Sequence, residues 1–168
     1  MGSIKHIWLL LIIGVLSFTV AAQDPLGNYN VIWDSPSEDH KGSMPIGNGD
    51  IGANVWVEEG GDLLFYLSKT DSYSENVRLF KLGKLRIRFS PNPFEEVCTF
   101  RQELDLRNGI IYIRSSSHRT KNSVNLKFWV DANHPVIRIS GKLSAATRVE
   151  LVLEHWRTER TEASVDDR

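Results

Sequence analysis

The sequence predicts an all-β fold, an antiparallel β-sandwich preceded by a signal-peptide helix. Three observations predict it. Apolar and polar residues alternate with period two in one segment after another. Turn-forming residues separate those segments about every ten positions. No stretch beyond residue 22 repeats its apolar residues at helical spacing.

The first element is an export signal over residues 1–22. Lys5 gives a short basic start, and Ile7 to Val20 is an unbroken run of apolar or small residues. Val20-Ala21-Ala22 then supplies small side chains where a signal peptidase reads, which places the cut before Gln23. A membrane anchor is the alternative, but the 14-residue run is shorter than the roughly 20 residues a spanning helix needs. No Cys follows Ala22 to carry a lipid. The expectation is a secreted or periplasmic protein with no stable membrane insertion.

Removal of residues 1–22 leaves 146 of the 168, enough for one domain with a real core. That remainder carries 19 Lys and Arg against 21 Asp and Glu, because only Lys5 is lost. No basic field is present to attract nucleic acid, and no polybasic run suits an anionic membrane. The single Cys98 cannot form an internal disulfide, so a disulfide-stapled scaffold is excluded.

The strands follow in order. Ile51 to Val57 and Asp62 to Leu67 are joined by Glu59-Gly60-Gly61-Asp62. Lys84-Leu85-Arg86-Ile87-Arg88-Phe89 alternates strictly, and Ser90-Pro91-Asn92-Pro93 ends it. Val97 to Phe100 is a short β-pattern in which Cys98 reads as a buried apolar residue. Glu103 to Leu106 and Ile110 to Ile113 flank Asn108-Gly109, the strongest hairpin dipeptide in the chain. Val124 to Val130 alternates, Asn133-His134-Pro135 breaks the chain, and Val136 to Ile139 resumes it. Arg148 to Glu154 alternates apart from Val152, and a strand pattern continues to Trp156. The domain is expected over 23–156. Residues 157–168 are polar, and read as a terminal tail or as a truncated strand or linker.

The segment richest in chemistry is 42–56. Gly47-Asn48-Gly49-Asp50-Ile51-Gly52 fits G-x-G-x-x-G, but Met44-Pro45 precedes it and a β-pattern follows it, so the dinucleotide reading lacks its strand and helix. Two readings stand for Asn48 and Asp50. In one they bond their own backbone in a turn that feeds the 51–57 strand. In the other they line a polar pocket. Trp33, Trp56, Tyr66, Tyr73, Trp129 and Trp156 are candidates to stack on sugar rings or to pack in a core or between domains. Lys69 and Asp71 sit just after a strand, as a surface ion pair or as pocket residues.

Hydrolytic chemistry finds little else to use. A glycosidase needs two carboxyl groups roughly 5–10 Å apart. The pairs Glu58-Glu59, Glu95-Glu96, Asp166-Asp167 and Glu103/Asp105 read as solvated edges or turns, which leaves Asp50 and Asp71 as the informative carboxylates. There is no G-x-S-x-G elbow. His40, His118, His134 and His155 lack metal-ligand spacing, and no calcium loop is present. No catalytic residue, metal or cofactor is predicted.

Three motifs taken together carry a resemblance. Trp33-Asp34-Ser35-Pro36-Ser37, then Ser43-Met44-Pro45-Ile46-Gly47-Asn48-Gly49-Asp50-Ile51-Gly52-Ala53-Asn54-Val55-Trp56, then Leu67-Ser68-Lys69-Thr70-Asp71 resemble the N-terminal β-sandwich of glycoside hydrolase family 95-like proteins. They are most similar to the related bacterial group whose N-terminal domain is named DUF5703. The likeness covers roughly residues 29–156 and is densest over 33–91. It implies a supersandwich-like domain that packs on a six-hairpin (α/α)6 barrel and lends a loop to its glycan site. In that family the catalytic carboxylate lies in the barrel, so no catalytic residue transfers to this chain. It also implies that the sandwich is incomplete at its C-terminus. Trp33, Asn48, Asp50, Lys69 and Asp71 are the residues expected at the glycan rim. The expected partners are an oligosaccharide and a barrel of the same parent chain. A free-standing carbohydrate-binding module and a plain interaction sandwich are the alternatives.

Overall fold

The alternating segments become ten strands in two five-stranded antiparallel sheets. The structure is a computed structural model that describes residues 25–75, 80 and 82–155. The expected signal peptide (1–22), the polar tail (157–168), Trp156 and the Cys98 side chain lie outside the described residues.

The first sheet runs, from edge to edge, β1 (Val31–Trp33), β6 (Val97–Asp105), β7 (Ile110–Ser117), β8 (Ser123–Val130) and β9 (Ile137–Leu143). The second runs β10 (Arg148–Glu154), β5 (Gly83–Ser90), β4 (Leu63–Lys69), β3 (Ile51–Val57) and β2 (Met44–Gly47). Short 3₁₀ turns over Pro25–Tyr29 and His40–Gly42 are the only other regular elements among the described residues. No helix there is long and apolar enough to cross a membrane. The Asn108-Gly109 and Glu59–Asp62 turns join the strands they were expected to join.

Three strands depart from the pattern read in the sequence: β1, a three-residue edge strand that was not expected, β2 and β6. β2 carries Pro45 and Gly47, which argue against a strand. It lies at a sheet edge, where one side of the backbone has no partner and a proline costs no ladder bond. β6 is one nine-residue strand and not two fragments. Its alternation is hidden because the inward position between Phe100 and Leu104 is Gln102, 1% exposed. Gln102 donates from Nε2 to the Val55 carbonyl oxygen on β3 at 3.1 Å, so one hydrogen bond links the two sheets through the core.

The core lies between the sheets. Val55, Val57, Leu63 and Phe65 from one side meet Ile111, Ile113, Leu126 and Phe128 from the other. The Phe65 and Phe128 rings meet edge to face at 5.1 Å. Trp56 points to the opposite face of β3 yet is only 3% exposed, because it packs on Tyr66 at 5.0 Å and Tyr66 packs on His40 of the 3₁₀ turn. The aromatic face of β3 and β4 is therefore covered by residues 37–42, a second small layer. The inward faces of β9 and β10 line an apolar slot of about 740 Å³ with Phe65, Ile87 and Leu126 at its floor.

Candidate functional site

The β2–β3 hairpin builds the site from its glycines upward. β2 pairs with β3 out to Gly47 opposite Gly52, and the chain reverses through Asn48-Gly49-Asp50. Gly49 has φ 92°, a conformation that L side chains avoid. A Cβ on Gly47 would lie 2.9 Å from the Ile51 carbonyl oxygen, so the turn closes only around glycine. The asparagine locks it. Asn48 Oδ1 accepts from the backbone N–H groups of Asp50 and Ile51, both at 2.9 Å. The turn reading of Asn48 is thus realised on the acceptor side of its amide.

The donor side reaches the other sheet. Asn48 Nδ2 donates to the carbonyl oxygens of Asp131 at 2.8 Å and His134 at 3.1 Å, in the loop between β8 and β9. That loop is itself organised by the Asp131 carboxylate. It accepts from the Asn133 N–H, His134 Nδ1 and Arg138 Nε, all within 3.1 Å. The Asn133 N–H, then the His134 and Arg138 side chains, hold Asp131 down at about 2. Asn48 is a rivet between two loops, and its polar atoms are already engaged by protein.

Asp50, Lys69 and Asp71 form a chain of charges beside this rivet. Lys69 closes β4, directly across from Ile51. Its ammonium donates to Asp50 Oδ1 at 2.9 Å and Asp71 Oδ1 at 2.6 Å, and Thr70 Oγ1 adds a bond to Asp50 Oδ1 at 3.2 Å. The Thr70 N–H also donates to the Asp50 carbonyl oxygen at 2.9 Å, which fixes the spacing of the two segments. The hydrogen bond to Asp71, then that to Asp50, raises Lys69 above its ordinary value, and the Lys69 hydrogen bond lowers Asp71. A carboxyl group lowered in this way is ionised near neutrality and is a poor proton donor. The cluster is suited to holding hydroxyl groups, which donate to carboxylates and can accept from an ammonium.

A shallow depression of about 300 Å³ opens here, lined by Gly47, Asp50, Ser68, Lys69 and Thr70 among others. That volume is at the small end for a ligand site. Ile51, Ser68 and Lys69 line both this depression and the apolar slot, so the polar cluster sits at one mouth of the slot.

Trp33 stands elsewhere. It ends β1 at the edge of the first sheet, is 43% exposed, and donates from Nε1 to the Gly42 carbonyl oxygen at 3.0 Å. It walls a separate hollow of about 250 Å³ with Ser35, Ser37 and Lys41. Gly42 leads into β2 and Asn48 leaves it, so the length of that strand separates Trp33 from the charge chain. Of the five expected residues, four gather at the hairpin and one does not join them.

Thr70 and the Asp131–His134–Arg138 loop belong to the same construction and were not foreseen. Thr70 lies within the third motif, so its neighbours signalled it. The loop is more than 80 positions from Asn48 and carries no local sign of the contact. Among the described residues no cluster of His, Cys, Asp and Glu is arranged to hold a metal ion.

Compared with known proteins, the chain matches a family model described as "Domain of unknown function (DUF5703)", and the match spans residues 32–168. No curated protein matches it.

Proposed function

The chain belongs to the DUF5703 family, its match covering residues 32–168, and from the resemblance of its three motifs to glycoside hydrolase family 95-like proteins we propose an accessory role in glycan processing. The chain is an exported N-terminal β-sandwich of a glycoside hydrolase-like protein of the periplasm or cell exterior. It packs on a six-hairpin barrel of its parent protein and lines the glycan site with the hairpin end of the sandwich. The observation that carries this reading is the Asp50–Lys69–Asp71 chain in its depression. Such alternating acceptors and donors, fixed by Thr70 and by the Asn48 rivet, match the alternating hydroxyls of a sugar. The Lys69 hydrogen bond holds Asp71 as a carboxylate and not as a proton donor, which agrees with chemistry supplied by another domain. On this reading the chain by itself releases no sugar. Release of monosaccharide from fucosylated, xylosylated or galactosylated glycans by the purified chain, free of host enzyme, would overturn it.

One observation favours a second reading, a free-standing carbohydrate-binding module. The Trp33 indole is partly exposed and fixed at its Nε1, as a stacking platform must be. Glycan-array binding that Trp33→Ala abolishes and Lys69→Met spares would favour this module. The opposite pattern would favour the hairpin rim.

A further inference from the structure

Among the described residues, two strands beside the apolar slot have an unpaired edge: β10 hydrogen-bonds only to β5, and β9 only to β8. On β10, Val149, Leu151 and Leu153 pair in register with Phe89, Ile87 and Leu85, so they continue the core face of the second sheet. They are nevertheless 54%, 62% and 51% exposed. A straight edge strand with three large apolar residues in the open is an unusual liability unless something pairs with it.

The sequence of β10 is complementary to itself. Turned antiparallel about Leu151, it sets Leu151 against Leu151, Val149 against Leu153, and Arg148 against Glu154 twice over. Apolar residues meet apolar residues on the inner face; on the outer face two Arg148–Glu154 pairs of opposite charge flank two Glu150–Val152 pairs, and Glu154 keeps Lys84 and Arg86 as partners. β9 has no such symmetry. Turned about Ser140 it would set Arg138 against Lys142, like charge on like charge. Pairing β10 to the β9 of another copy in the register that matches charges, Glu150 to Lys142 and Glu154 to Arg138, would set Leu151 against Gly141, and in any register it leaves an edge open at each end.

We infer that a second copy of this chain pairs through β10, antiparallel and two-fold symmetric about Leu151, to join the two second sheets into one ten-stranded sheet. The two-fold axis stands perpendicular to the sheet, so both inner faces stay on the same side and the two slots run into one another. The pairing closes, leaving no β10 edge to recruit a third copy. This inference is independent of the glycan reading, because β10 does not line the hairpin depression.

The register makes the test specific. Residues directly opposite in such a ladder have Cα atoms about 4.5–5.5 Å apart, within disulfide range. The purified chain is expected to sediment at twice the mass of one chain. Under mild oxidation Leu151→Cys should cross-link to itself. Val149→Cys alone should not, because its own copy lies about 14 Å along the strand, but a mixture of Val149→Cys and Leu153→Cys should. The unsubstituted chain, with Cys98, is the background control. Arg148→Glu and Leu151→Lys should each weaken the dimer about tenfold or more, with the β-sheet circular dichroism unchanged. A monomer at every attainable concentration overturns the inference. So does self-cross-linking of Val149→Cys, or an open-ended polymer, which would signify β10–β9 pairing.

Discussion

The side-chain amide of Asn48 donates to the main-chain carbonyl of Asp131 across the gap between the two sheets, at 2.8 Å. The same amide accepts two N–H groups of its own turn, so one residue fixes a hairpin and anchors it. A motif residue that the resemblance places at a glycan rim is here first a structural rivet. Its influence on any ligand passes through the position it gives Asp50.

Asn48→Ala removes four hydrogen bonds at once. With about 1 kcal/mol for a typical bond and extra cost for the carbonyls left behind, a loss of about 2–4 kcal/mol is expected. Urea unfolding measures it. Asn48→Asp keeps the acceptor, loses the donors, and should recover only part of the loss.

Gly49→Ala isolates the turn conformation, because a Cβ there meets nothing within 4 Å. Any loss comes from φ 92° alone, about 1 kcal/mol. A loss several times larger would mean that the turn has other constraints.

Lys69→Met leaves the Asp50 and Asp71 carboxylates without their common partner. These are exposed groups, so the unfolding midpoint should move little. Glycan binding, measured by calorimetry or array, should fall at least tenfold on the reading proposed above. Unchanged binding would remove the hairpin rim from that reading.

Arg86 is the most enclosed cation of the second sheet. Its guanidinium donates to Glu58 and Asp62, each at 2.8 Å, and to Glu154. Burial works against the charge, but these carboxylates more than offset it, and Arg86 is raised further above an already high value. Arg86→Met should cost about 2–4 kcal/mol, because it leaves three carboxylates together on one face. The Lys84 and Arg86 hydrogen bonds lower Glu154, so its share of stability is present above its ordinary 4.5 and lost as pH falls below it.

Asp131 gives a second acid transition. It is held at about 2 against an ordinary 3.8, so its contribution is whole above about pH 4 and drains as pH falls toward 2. Thermal melts over that range should steepen in the parent and flatten in Asp131→Asn. Equal slopes would show that other carboxylates carry the acid response.

Local chemistry made much of this protein legible in advance. Period two in Leu85, Ile87 and Phe89 needs only a strand with one buried face. Asn108-Gly109 and Gly60-Gly61 announce their turns through backbone preference. The three ordered motifs brought Asn48, Asp50, Lys69 and Asp71 forward as one group, and three of them share a lysine-centred contact. β2 was not legible, since Pro45 is tolerated only because that strand lies at an edge. Edge position is a property of the assembled sheet.

The sequence by itself determined most of the strands, most of the turns and the charged residues of the hairpin, because each depends on neighbours a few positions away. Tertiary structure alone decided the rest. It made Gln102 a bridge to Val55, tied Asn48 to Asp131, separated Trp33 from the charge chain, and covered Trp56 while leaving Leu151 bare. Those outcomes depend on which sheet faces are covered and by what, and that is settled only when distant segments pack together.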